Sequence, residues 1–206
     1  LGAFVFGLFI LFSASFLRNQ IGLLLFGVML GSFVAAIITI FEASSQAEAL
    51  KAFALWSMGS LNAVTLEQVP LITLVFVLGC MITLFIVKPL NVLVLGEDEC
   101  RLMGYNMKRL RLSIVFITAL FTGLITAYCG PIAFVGLAVP NLTRMLFKTQ
   151  NHLMLLVANL LFGGFFMLSC DLLIQLLSGT ILIPINALTS ILGAPFVIYI
   201  LIRKLR

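Results

Sequence analysis

The sequence predicts an all-α fold, a polytopic transmembrane helical bundle. Three observations carry this: 63% of the 206 residues are hydrophobic, only 9% are charged, and the apolar residues gather in long runs. A water-soluble domain carries about 25% charged residues, whereas mean hydropathy here is +1.26. Length is therefore best counted in membrane spans of about 20 residues.

Seven spans follow in order, over 1–17, 21–41, 69–87, 112–129, 132–147, 153–177 and 184–202. The first opens inside LGAFVFGLFILFSASFL, without an initiator Met, a basic leader or a small-residue cleavage site. No signal peptide is predicted, and the sequence reads as part of a longer chain. In the second span Gly27 and Gly31 form a GxxxG face suited to close helix contact. Segment 42–68 predicts a short interfacial helix, with Ser45 and Glu48 as a capping box, Trp56 at headgroup level and Gly59 as its stop. Such a helix serves either as a lipid anchor or as a docking ledge for an external partner.

Segment 88–111, KPLNVLVLGEDECRLMGYNMKRLR, is amphipathic and charged in blocks. Glu97, Asp98 and Glu99 suit the positive end of a helix dipole, and Gly104 interrupts the helix they start. A helix-turn-helix offers a rigid surface to a partner outside the membrane; a solvated loop is the plainer alternative. Span 132–147 would rise only about 24 Å, less than the hydrocarbon core, and it contains Pro140. A short, proline-interrupted span is stable where protein or a cavity surrounds it, which points to packing inside a transporter. Asp171, in the sixth span, is costly in hydrocarbon unless it is partnered. It reads first as a structural hydrogen-bonding group and second as a proton-relay site of an ion-coupled transporter; no second ionisable group is evident at membrane depth.

Charge sets the orientation. On an alternating topology eleven of the twelve Lys and Arg residues fall on one side, and only Lys51 on the other. By the positive-inside rule the basic side is cytoplasmic and the chain ends inside. The net charge of +5 is thus a topology signal that calls for no nucleic-acid partner. Cys80, Cys100, Cys129 and Cys170 lie far apart and His152 stands alone in a polar break, so neither a metal site nor a disulfide framework is predicted. Without a GxxxxGK[ST] loop, any ATP binds elsewhere, and neither enzymatic activity nor a cofactor is expected.

Three stretches, LGEDECRLMGYNM, GPIAFVGLAVPNLTR and IPINALTSILGAPFVIYIL, resemble in order and spacing the iron-siderophore and cobalamin permeases of the FecCD family. The resemblance runs from the first span through Arg203. It implies a single permease domain over 1–206, seven spans of a ten-helix type II ABC importer subunit, with 88–111 as its cytoplasmic coupling segment. The implied partners are a second permease subunit, identical or merely similar, two cytosolic ATPase subunits, an extracytoplasmic substrate-binding protein and membrane lipid. The implied cargo is an iron-siderophore complex, with cobalamin or haem as alternatives.

Carried over by motif, Leu95, Gly96, Glu97, Cys100, Arg101, Leu102, Met103, Gly104 and Tyr105 would form the ATPase-coupling surface, with Cys100 in place of the family's Ala. Asn19, Gln20 and Ile21 match the cytoplasmic gate. Lys51, Trp56 and Gln175 are candidates for docking the binding protein; Gln175 stands where some relatives carry an Arg a turn after the position of Asp171. The family's proline-histidine pair is Pro140-Asn141 here, and its Glu-Leu-Pro-Ile-Gly is Leu182-Ile183-Pro184-Ile185-Asn186, a variant that resembles catechol-siderophore permeases.

Overall fold

The computed structural model describes residues 2–16, 20–177 and 183–205. A helix satisfies its backbone polar groups internally, so each apolar run closes into one. In chain order these are α1 (Gly2–Phe16), α2 (Gln20–Ala43), α3 (Ala47–Ser57), α4 (Val69–Leu93), α5 (Glu97–Leu102), α6 (Met107–Cys129), α7 (Val135–Phe147), α8 (His152–Leu177) and α9 (Ile185–Leu205). Each of the seven expected spans is helical over most of its described length, with α7 starting at Val135 rather than 132 and α9 at Ile185 rather than 184. Within α2, Leu24–Ala43 is long and apolar enough to cross a membrane, as are α4, α6 and α8; α1, α7 and α9 contribute shorter apolar stretches.

The bundle is built around α6, which packs against α1, α4 and α5. A second group, α7, α8 and α9, joins the first where α8 meets α4. Apolar association gains little in lipid, so close fit decides which faces meet. Gly79 of α4 receives the ring of Phe121, whose Cζ lies 2.6 Å from where a Cβ would stand. Gly193 of α9 similarly admits Phe134, at 2.8 Å. The outward faces are rich in exposed Leu, Phe, Val and Ile, as expected of a lipid-facing surface.

Several boundaries and one packing expectation differ from the sequence reading. Helix α4 continues through Lys88 and Pro89 to Leu93, and α6 begins at Met107 rather than 112. The segment 88–111 is therefore an elbow: the last turns of one span, a six-residue helix, and the first turn of the next. Ser45 does not cap α3. Its Oγ donates to the Phe41 carbonyl at 2.6 Å, and Gln46 is the N-cap. The hydroxyl of Ser45 is taken by the end of α2, four residues back, an outlet open to Ser at any helix end. A Cβ on Gly27 or Gly31 would meet nothing within 4 Å, so the expected GxxxG contact is not made among the described residues. Helix α2 leans on α1 instead, with Phe9 and Phe26 stacked at 5.9 Å. Helix α7, at 13 residues, rises only about 20 Å.

Candidate functional site

The elbow α4–α5–α6 is built from local chemistry. A six-residue helix is far below the length that is stable alone, so α5 depends on external constraints. Its start is prepared by Gly96, where a Cβ would run into the Glu99 carboxylate. The three acidic residues of its first turn face the positive end of the helix dipole. Its end is a Schellman motif: Gly104 N–H donates to the Arg101 carbonyl and Tyr105 N–H to the Cys100 carbonyl, each at 3.0 Å. Gly104 has φ +83°, a left-handed conformation that costs an L-residue about 1–2 kcal/mol.

Cys100 pins α5 to the bundle. It is fully buried and clusters with Met107 and Leu110 of α6, against Ile86, Val92 and Leu93 of α4 and Ile114 of α6. Its thiol reaches the Pro89 carbonyl at 3.6 Å, a carbonyl on the wall facing α5. Across the outer face, Glu97 pairs with Arg111 of α6 and, at 3.7 Å, with Arg101 in its own helix. These pairs are exposed, so each contributes at most about 1 kcal/mol. Asn106 caps α6, its Oδ1 accepting from Lys108 N–H at 3.1 Å and Arg109 N–H at 3.2 Å.

With its inner side thus fixed, the elbow exposes an apolar outer side: Leu95 is 66% exposed, Leu102 87% and Met103 60%. These large apolar side chains stand exposed at the elbow, in sequence beside the equally exposed charges of Asp98, Glu99 and Arg101. All nine coupling candidates lie in this one unit. Buried Cys100 and the turn residues Gly96, Gly104 and Tyr105 set its shape, Glu97 and Arg101 pair on its outer side, and Leu95, Leu102 and Met103 are its exposed apolar residues.

The other candidates are dispersed. Asn19 lies outside the described residues, as does Leu182; Gln20 opens α2, and Ile21 beside it is exposed. At the opposite end of the bundle Trp56 packs on Phe53 at 5.7 Å and borders a cavity of about 500 Å³ with Leu55, Tyr128 and Pro184. Here the segments that follow α3 and α6 are tied to α6 and α9: Ser60 N–H donates to the Cys129 carbonyl at 2.9 Å, and Ala133 N–H to Asn186 Oδ1 at 3.1 Å. Gly130 makes this crossing possible, since a Cβ there would strike the Trp56 carbonyl oxygen. Lys51 is exposed on α3, and Gln175 belongs to α8, outside the Trp56 cavity. Gln175 Nε2 donates to Asp171 Oδ2 at 2.6 Å, so these two α8 side chains engage each other, one turn apart.

Sequence reasoning missed the struts between helices. Asn91 Oδ1 accepts from His152 N–H at 2.8 Å and lies 2.8 Å from its Nδ1, joining the end of α4 to the start of α8. Thr143, fully buried, donates to Asn159 Oδ1 at 2.5 Å, joining α7 to α8. Only the Asn before the basic start of α6 carried a readable signal, as an N-cap residue type. Among the described residues no group of three His, Cys, Asp or Glu is placed to hold a metal ion.

The family model of the FecCD transport family matches residues 1–203, the elbow included. The chain belongs to the FecCD transport family. It is 31% identical to the hemin transport system permease protein of Yersinia pestis, over 90% of this chain and 55% of that protein. It is 35% identical to the vitamin B12 import system permease protein of Vibrio cholerae, over 99% and 61%. A solved structure of a metal-chelate type ABC transporter in an inward-facing conformation matches with TM-score 0.82 and 32% identity, covering 93% of this chain and 62% of that one. This FecCD chain thus spans a little over half the length of the curated relatives it matches.

Proposed function

We propose that the chain forms the membrane-spanning part of the permease subunit of an ABC importer that carries an iron-siderophore complex across the bacterial cytoplasmic membrane. In this reading the chain hydrolyses nothing. A second permease subunit completes the conduit, two cytosolic ATPase subunits drive it, and an extracytoplasmic binding protein delivers cargo near α3. The observation that carries the proposal is the elbow, a rigidly held α5 with an exposed apolar tip at the basic end of the bundle. That surface suits insertion into a partner's cleft, and the positive-inside rule makes its side cytoplasmic. The names of the haem and vitamin B12 relatives support the import of a bulky chelate, and they support haem or cobalamin as cargo as well as a siderophore. The lack of a metal-ligand cluster among the described residues is consistent with a cargo whose iron is already wrapped.

The test is uptake of radiolabelled iron-siderophores, haem and cobalamin in cells whose only copy is the full-length protein, wild type or Gly104→Trp, with and without the partner ATPase. Uptake of one ligand that disappears in both perturbations, at unchanged membrane level, is the expected result. Uptake indifferent to both would sink the importer reading, and haem or cobalamin as the ligand lost would replace the siderophore.

A further inference from the structure

The basic end of the bundle holds a second site, apart from the elbow surface. A cavity of about 460 Å³ opens between the end of α7 and the start of α8, lined by Arg144, Lys148, Thr149, Gln150 and His152, with Val94 and Leu155 as its apolar wall. Arg144 and Lys148 lie one turn apart and both side chains border the cavity. No carboxylate answers either of them among the described residues: the described ion pairs join Arg101 and Arg111 to Glu97 and Asp98. Lys148 also closes α7 in a left-handed conformation, φ +47°, that is uncommon for a side-chain-bearing residue. Two unanswered cations on one cavity are mutually repulsive and gain from an anion between them.

α8 is long and apolar enough to cross a membrane and begins at His152 on the edge of the cavity, which puts the site level with lipid headgroups when that helix spans the bilayer. A guanidinium presents paired donors to phosphate oxygens, and an ammonium adds a point charge. Val94 and Leu155 give the wall the apolar contact that a glyceryl ester needs. We propose that this cavity binds the phosphate of an anionic phospholipid. Val94 follows α4 directly and precedes α5, so the bound headgroup touches the root of the elbow and bears on how firmly that elbow is seated.

The experiment uses the full-length protein in nanodiscs of phosphatidylcholine alone or enriched in phosphatidylglycerol, with retained lipid counted by native mass spectrometry. Wild type is expected to retain phosphatidylglycerol selectively. Arg144→Gln or Lys148→Asn should each weaken retention about fivefold and the pair about thirtyfold, one increment per cation lost near the surface. Asn tolerates the left-handed backbone at 148, and Arg144→Lys, which keeps the charge, should retain most of the lipid. That conservative variant separates lost binding from lost folding. Displacement by inorganic phosphate would keep the phosphate site and make its ligand soluble. Retention equal for the two lipids, or unchanged in the double variant, would overturn the proposal; an acidic partner protein protecting Lys148 from acylation in place of lipid would do so too.

Discussion

Replacing Gly104 tests whether the elbow is held by its turn. At φ +83° an L-residue meets a backbone penalty of about 1–2 kcal/mol. A Cβ at this position would meet nothing within 4 Å, so Gly104→Ala adds that penalty and no clash. The strain falls on the two hydrogen bonds that end α5, from Gly104 N–H to the Arg101 carbonyl and from Tyr105 N–H to the Cys100 carbonyl. If these open locally, the penalty becomes an increase of about five- to thirtyfold in the open population. Hydrogen exchange followed by mass spectrometry on the full-length protein in nanodiscs reads this directly, as faster exchange in peptides covering 103–106. Gly104→Asn should show a smaller effect, because Asn tolerates the left-handed region better than Ala. Exchange in Gly104→Ala equal to wild type, or acceleration equally strong in α8, would refute the reasoning.

Three further outcomes follow from the same geometry. Gly130→Ala combines φ +77° with a Cβ driven into the Trp56 carbonyl oxygen; it should destabilise the fold by about 2–5 kcal/mol, seen as a lowered Tm in detergent. Thr143→Val leaves Asn159 Oδ1 without its buried donor and should cost about 1–3 kcal/mol, with Thr143→Ser restoring most of the loss in the same melt. Asp171→Asn should leave ligand uptake unchanged, because an amide oxygen still accepts from Gln175 Nε2; collapse of uptake in that variant would favour a proton-relay role over a structural one.

The spans were legible because their signal is compositional. A run such as VPLITLVFVLGCMITLFIV has one stable backbone in hydrocarbon, whatever its neighbours do. Helix ends were less legible. Lys88 and Pro89 look like a stop, yet α4 runs through both to Leu93: a Pro removes only one hydrogen bond, the one its own N–H would donate to the carbonyl four residues back. Ser45 was misread because a hydroxyl can bond backwards to its own helix as easily as forwards to the next. Within the candidate site, the acidic first turn and Gly104 were readable, since both act through local backbone physics. The Glu97–Arg111 clamp, the Asn91–His152 strut and the meeting of Gly130 with Trp56 depend on residues 14, 61 and 74 positions apart, and no local pattern encodes them.

The arrangement of these struts bears on how a push at the elbow would travel. Alone, α5 could not carry load, because a free six-residue helix melts. Bound through Cys100, the Glu97–Arg111 pair and the Schellman turn, it moves only as α4 and α6 move. Those two helices belong with α1, while α7, α8 and α9 form the other packed group. The groups share the α4–α8 face, and at its basic end Asn91 grips the first residue of α8 with a backbone and a side-chain contact. In the importer reading, force delivered to Leu102 and Met103 therefore reaches the first group directly and the second through α4 and through the tie of Ala133 to Asn186 of α9. The phosphate cavity, edged by both Val94 and His152, sits at the foot of the α4–α8 face, so a lipid bound there would act on one of the contacts that join the two groups.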